Sequence, residues 1–232
     1  MTSVGEESCR FRRGKSATFM GLELAVGDDV VAPRSETELL AKRAMEILQD
    51  SHERQPIAID MCCGSGNLAL CLAVNSPNSL VFAADLTDAA IETARLNARR
   101  LGLDDRVMVR QGDLFSALTD DHLTGRAAMI VCNPPYISTA RLEGKSAHLL
   151  EEEPREAFDG GPYGIAIHQR LVRDAAAFLR PGGHLLFEFG LGQHRQAAAL
   201  LARTRCYDVA EMIADEAGEP RVAVARLAST EP

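Results

Sequence analysis

Between residues 57 and 132, short strand-like runs alternate with stretches of helical periodicity, and this alternation constrains the fold more than any other feature. The runs IAID, LVFAAD, RVMVRQGD and AAMIVC are each too short for a packed helix and rich in residues that suit a buried sheet. NLALCLAVN separates the first two. DAAIETARLNARRLGL separates the second and third, with Ile91, Ala94, Ala98 and Leu101 on one face and Gly102 placed to end the helix. After a long polar loop, IAIHQRLVRDAAAFL reads as a helix stopped by RPGG, HLLFEFG as a fifth strand and QHRQAAALLAR as a further helix. YDVAEMIAD and RVAVARL close the chain as a hairpin. Strands that alternate with helices form a parallel sheet covered on both faces, here with an antiparallel edge, so the fold class is α/β.

Ahead of this core, ATFMGLELAVGDDVVAPR reads as two extended pieces about a turn at Gly27-Asp28. Ser35 resembles a helix N-cap, and ETELLAKRAMEILQD follows with Leu39, Leu40, Ala44, Ile47 and Leu48 at helical spacing. The expected organisation is a flexible tail over 1–17, a lead-in hairpin and helix over 18–54, and the main domain over 55–232.

At 232 residues and 46% hydrophobic, the chain can bury a substantial core. No apolar run is long enough to span a bilayer, and no signal peptide is visible. Six cysteines, two of them adjacent (Cys62 and Cys63) and none at zinc-ligand spacing, suit reduced thiols in a cytoplasm. The six histidines are scattered, so no metal is expected. A net charge of −8 disfavours a nucleic-acid groove, the sole basic cluster being RFRRGK at 10–15.

In an open sheet of this class, ligands bind beyond the carboxyl ends of the strands. Four loops there carry unusual residues. The first is DMCCGSGN (60–67), where Gly64 and Gly66 permit close backbone approach and Asp60 ends the strand; it lacks the spacing of a dinucleotide turn or a P-loop. At the end of the second strand Asp85 can accept hydrogen bonds from a ribose diol, followed by Leu86. In QGDLF, Asp113 suits either a helix cap or an acceptor for an adenine amino group, with Leu114 placed to cover the ring. The fourth is NPPY. Asn133 offers an acceptor oxygen, Pro134 a carbonyl that the double proline with Pro135 holds rigidly, and Tyr136 a flat face with a polar tip. Together they form a cradle for a planar NH2 group.

In this order DMCCGSG, Asp85, QGDLF and NPPY resemble class I S-adenosylmethionine (SAM)-dependent methyltransferases that modify planar nitrogen. More narrowly, the chain resembles the PrmC/HemK family of protein-(glutamine-N5) methyltransferases, which act on the GGQ loop of peptide release factors. GLELAVGDDVVAPRSETELL, EEEPREAFDGGPYG, FEFGLGQ and GEPRVAVAR extend the likeness over about residues 18 to 227. The resemblance implies a Rossmann-like, mostly parallel seven-stranded sheet with an antiparallel C-terminal hairpin edge. It implies SAM as cofactor, with S-adenosylhomocysteine as product, held by Asp60, Cys62, Cys63, Gly64, Ser65, Gly66, Asp85, Leu86, Asp113, Leu114 and Asn133. It places Asn133, Pro134, Pro135 and Tyr136 at the chemistry, with Arg34 and Glu36 of PRSETE joining Asn133, Pro134 and Tyr136 at the acceptor.

Three departures stand out, the last of them the most important. Cys62 occupies the first glycine position of the family's DxGxGxG turn, and Ser35 the second proline of PRPETE. Bacterial members carry a helical N-terminal domain that helps hold the release factor, whereas here seventeen residues precede the hairpin. Relatives without that domain use a small activating partner protein. Other acceptors suit the same cradle: a small molecule or peptide of a biosynthetic pathway, or the amino group of a nucleic-acid base, which the acidic balance disfavours. A non-catalytic SAM-binding domain is hinted at only by Cys62.

Overall fold

The computed structural model describes residues 15–151 and 154–229; most of the 1–17 tail and of the basic cluster at 10–15 lies outside them. The lead-in is a two-stranded hairpin of β1 (Ser16–Phe19) and β2 (Leu22–Ala25), paired Phe19 to Leu22. Its turn is therefore Met20-Gly21. Both turn residues have positive φ (48° and 80°), which matches the twist of the flanking strands. The turn expected at Gly27-Asp28 is present but lies beyond β2, where Val30 N donates to Gly27 O. Ser35 is no N-cap. It opens a single 3-10 turn, Ser35–Thr37, and α1 (Glu38–Gln49) follows with neither start capped by a side chain.

The main sheet then builds as β3 (Ile57–Met61), α2 (Asn67–Asn75), β4 (Leu80–Asp85), α3 (Asp88–Arg100) and β5 (Val107–Gln111). A 3-10 segment (Leu114–Asp121) leads to β6 (Ala127–Cys132), and a short α4 (Thr139–Glu143) lies in the loop beyond it. Next come α5 (Ala166–Phe178), β7 (Leu179–Glu188), α6 (His194–Thr204) and the hairpin of β8 (Tyr207–Ala214) and β9 (Pro220–Leu227). Strand β7 absorbs the RPGG segment that the sequence assigns to a helix stop. Seven strands lie in the order β5-β4-β3-β6-β7-β9-β8, parallel except for β9, which is antiparallel to both neighbours.

Period-two alternation sends the sheet's side chains into two cores. Ala58, Val81, Ala83, Val109 and Val131 pack with α1, α2, α3 and the lead-in residues Phe19 and Leu24. On the opposite face Ile59, Met61, Phe82, Ile130, Leu185 and Phe187 pack with α5, α6 and the 3-10 segment. A buried amide ties the lead-in hairpin to α3 and to the turn after β3. Asn97 Nδ2 donates to the carbonyls of Ala25 and Ser65, and its Oδ1 accepts from Ala25 N. Among the described residues no helix is long and apolar enough to cross a membrane.

Candidate active site

The chain runs outward from β3 through β4 to β5, then returns to place β6 on the other side of β3. The order of strand addition reverses between the parallel strands β3 and β6, which opens a crevice at their carboxyl ends. A cavity of about 340 Å³ lies there.

One wall is the turn from β3 to α2. Its backbone is left-handed at Cys62 (φ 59°), Gly64 (53°) and Gly66 (83°). Gly66 is buried and does not line the cavity. It is the N-cap of α2, and a Cβ there would press on Ala94 and Leu70 at 3.3 Å. Asp60 is also behind the wall. It is fully buried, and its Oδ2 accepts from Ala69 N at 2.9 Å, supplying the helix cap that Gly66 lacks. Burial, opposed by that hydrogen bond and reinforced by Asp85, pushes its pKa up to about 8, so Asp60 is protonated at neutral pH.

Asp85, at the end of β4, accepts from Gly64 N (2.9 Å) and Thr87 N (3.2 Å), which ties the first turn to the second. Leu86 beside it is 55% exposed toward solvent, while Leu114 is buried with φ 50°. Both line the cavity, as does Asp113, whose Oδ2 is paired with Arg170 at 2.8 Å.

The facing wall is the end of β6. Asn133, Pro134, Pro135 and Tyr136 all line the cavity, with Arg34 and Glu36 exposed at its lead-in side and Arg34 stacked over Phe158. Behind them a hydrogen-bonded chain runs into the protein. Asn133 Nδ2 donates to Thr37 Oγ1 (2.9 Å), and Thr37 Oγ1 donates to Glu188 Oε2 (2.8 Å). Tyr136 Oη donates to the other carboxylate oxygen, Oε1, at 3.2 Å. Glu188 is 2% exposed; burial pushes its pKa up, while Thr37, Arg221 and Tyr136 oppose the shift. Burial beside Glu188 raises the Tyr136 phenol to about 12, so the ring keeps its donor proton. His168, held by burial at about 4, is neutral and bonds the Glu188 carbonyl through Nε2 at 2.9 Å.

The loop at 154–164 closes over this wall. Ile137 N donates to Phe158 O and Gly160 N to Ile137 O, while Gln193 Nε2 donates to the carbonyls of Tyr136 (3.0 Å) and Gly164 (3.2 Å). The structure thus brings fourteen of the sixteen sequence-chosen residues to one cavity and leaves Asp60 and Gly66 behind its wall. Sequence reading passed over Thr37, Glu188 and Gln193. Glu188 carried a readable signal, a lone acid inside the apolar strand HLLFEFG. Thr37 did not stand out from its neighbours in PRSETE.

The profile of the Methyltransferase small domain family matches residues 37–161. The release factor glutamine methyltransferase of Moorella thermoacetica is 40% identical over 203 residues, covering 88% of this chain and 69% of its own length. That of Streptomyces coelicolor is 34% identical over 212 residues, covering 91% and 73%. Among solved structures, the T. thermophilus 16S rRNA N2 G1207 methyltransferase in complex with AdoMet and guanosine superposes with a TM-score of 0.67 at 20% identity, over 93% of this chain and 50% of that one.

Proposed function

We propose that this chain, which belongs to the release factor glutamine methyltransferase family, methylates the side-chain amide nitrogen of a glutamine in a peptide release factor. The chain is a SAM-dependent methyltransferase of the PrmC/HemK type. Its cavity fits the cofactor. The volume falls within the range of small-molecule sites, roughly 300–1,000 Å³. Asp85 presents a carboxylate suited to a ribose diol, Leu86 and Leu114 offer apolar cover for a base, and the Cys63-Gly64 backbone lies open alongside.

When bound, SAM supplies a methyl group on a sulfonium. An amide nitrogen is a poor nucleophile because its lone pair is shared with the carbonyl. The protein must therefore align the amide and stabilise the positive charge that grows on nitrogen. The Oδ1 of Asn133 and the carbonyl of Pro134 are the acceptors for the two NH2 hydrogens, and the Tyr136 ring packs against the planar group. Holding reactants in attack geometry can supply roughly 7–11 kcal/mol of a barrier. Fixed acceptors add a preorganised electrostatic term, the oxyanion-hole effect with its sign reversed. The proton leaves after transfer, so no general base needs to touch the nitrogen.

One observation carries this reading: Asn133, Pro134 and Tyr136 share a cavity with Asp85 and the Gly64 turn. Labelled SAM offered to purified release factor and, separately, to a whole-cell metabolite extract tests it. Label on a release-factor glutamine is expected. Label confined to the small-molecule fraction overturns the assigned acceptor.

A further inference from the structure

The two ends of the Asn133 side chain have nearly the same shape, but only one of them can serve the reaction. With Oδ1 toward the cavity, Asn133 accepts from an incoming NH2; with Nδ2 there, two donors face each other and the cradle repels its substrate. Amide orientation is therefore a catalytic variable in this site, and something must set it.

We infer that Glu188, acting through Thr37, fixes the Asn133 amide in its reactive orientation and anchors Tyr136 at the same time. The inference follows from the order of donors and acceptors. An ionised carboxylate accepts and never donates. Arg221, 3.9 Å from Oε1, supplies the matching positive charge, and both carboxylate oxygens receive a hydroxyl. Thr37, with its single proton given to Glu188, faces Asn133 as an acceptor. Only Nδ2 can satisfy it, at 2.9 Å, which turns Oδ1 toward the cavity. The conclusion rests on the polarity of the chain and would survive exchange of the amide O and N labels.

Two further observations agree. Thr37, in helical backbone conformation (φ −70°, ψ −15°) where the 3-10 turn runs into α1, makes no side-chain cap to the helix. Its hydroxyl is diverted to the site. Glu188 is one of the few charged residues buried among the described residues, and such a group is costly unless it is paired. Its partners come from three separate elements: Thr37 ahead of α1, Tyr136 after β6, and Arg221 on β9. Thr37 and Glu188 are positioning residues, acting through Asn133 and Tyr136.

The test rests on the acceptor proposed above for its kinetic arm only. Thr37→Val keeps the shape and removes the hydroxyl; Thr37→Ser keeps the hydroxyl. With release factor as acceptor, Thr37→Val is expected to lower kcat roughly 10–100-fold, short of the 10²–10³ typical of deleting a stabilising group outright. S-adenosylhomocysteine affinity by calorimetry should stay within about twofold, and Thr37→Ser should recover kcat to within about threefold of the parent. Glu188→Gln, which can donate as well as accept, should lose kcat at least as far. Thr37→Val active to within about twofold, or Thr37→Ser no better than Thr37→Val, would overturn the inference. The second arm uses no acceptor. The Asn133 side-chain NH2 resonances, assigned by their absence in Asn133→Ala, should exchange slowly with water in the parent and at least tenfold faster in Thr37→Val. Equal exchange in both proteins would refute the role of Thr37. A parent enzyme inactive on release factor would overturn the acceptor and leave this second arm to decide the inference.

Discussion

Gly164 offers a way to disturb the amide cradle without substituting any residue in it. Its φ is +68°, and a Cβ built there overlaps the Tyr136 carbonyl oxygen and comes within 2.9 Å of Gln193 Nε2 and 3.1 Å of Ser138 N. Gly125 has the same φ of +68°, with nothing within 4 Å of its added Cβ, and lies ahead of β6. The pair separates two effects. Gly125→Ala incurs only the left-handed backbone cost, roughly 1–2 kcal/mol. Gly164→Ala incurs that and must also relieve the overlap. Carbon contacts are comfortable at about 3.5–4.0 Å, so the backbone at Tyr136 has to yield by about 1 Å. Overpacking of this kind adds about 1–3 kcal/mol, for a total near 2–5 kcal/mol. A misplacement of about 1 Å at reacting groups costs on the order of 10² in rate. Urea unfolding and labelled methyl transfer to release factor would be measured on both variants. Gly125→Ala should keep kcat near the parent value, and Gly164→Ala should lose about 10²-fold while remaining folded. Equal activity in the two variants would refute the claim that the 154–164 loop holds Tyr136 in place.

Asn133→Ala is expected to lower turnover by at least about 10²-fold with S-adenosylhomocysteine affinity retained by calorimetry, and parallel loss of both would remove Asn133 from the acceptor site. Asp60 binds its proton more tightly in the folded protein (about 8) than in the unfolded chain (3.8). Its contribution to stability is therefore complete below about pH 4 and declines as pH rises through 8; Asp60→Asn should remove that decline, read as urea midpoints at pH 5 and pH 8.5. A parent and variant with parallel pH dependence would show that Asp60 titrates normally. Cys62, at φ 59°, sits where glycine is at ease and β-branched residues are strained. Cys62→Gly should change stability by less than about 1 kcal/mol and Cys62→Val should cost at least about 2 kcal/mol, and equal unfolding midpoints for the two would show that this backbone is not strained.

Much of what depends on neighbours along the chain was legible in the sequence. The spans NLALCLAVN and LVFAAD coincide with α2 and β4, because a helix and a strand each impose a local period on their apolar residues. Asp85, which ends β4, and Asn133, just beyond β6, were legible because a carboxylate or amide at the end of a buried strand needs a partner there, whether a ligand, a loop backbone or a helix cap. Contacts between residues far apart in the chain were set by the fold alone. Thr37 and Glu188 are 151 positions apart, and their hydrogen bond exists only because α1 packs against both β6 and β7. The displacement of Asp60 from a ligand-facing carboxylate to a protonated cap beneath α2 is equally nonlocal, since burial by the assembled sheet raises its pKa. Local pattern fixes where chain segments start, stop and face, whereas proton positions and hydrogen-bond polarity depend on the dielectric and the partners that only the folded interior provides.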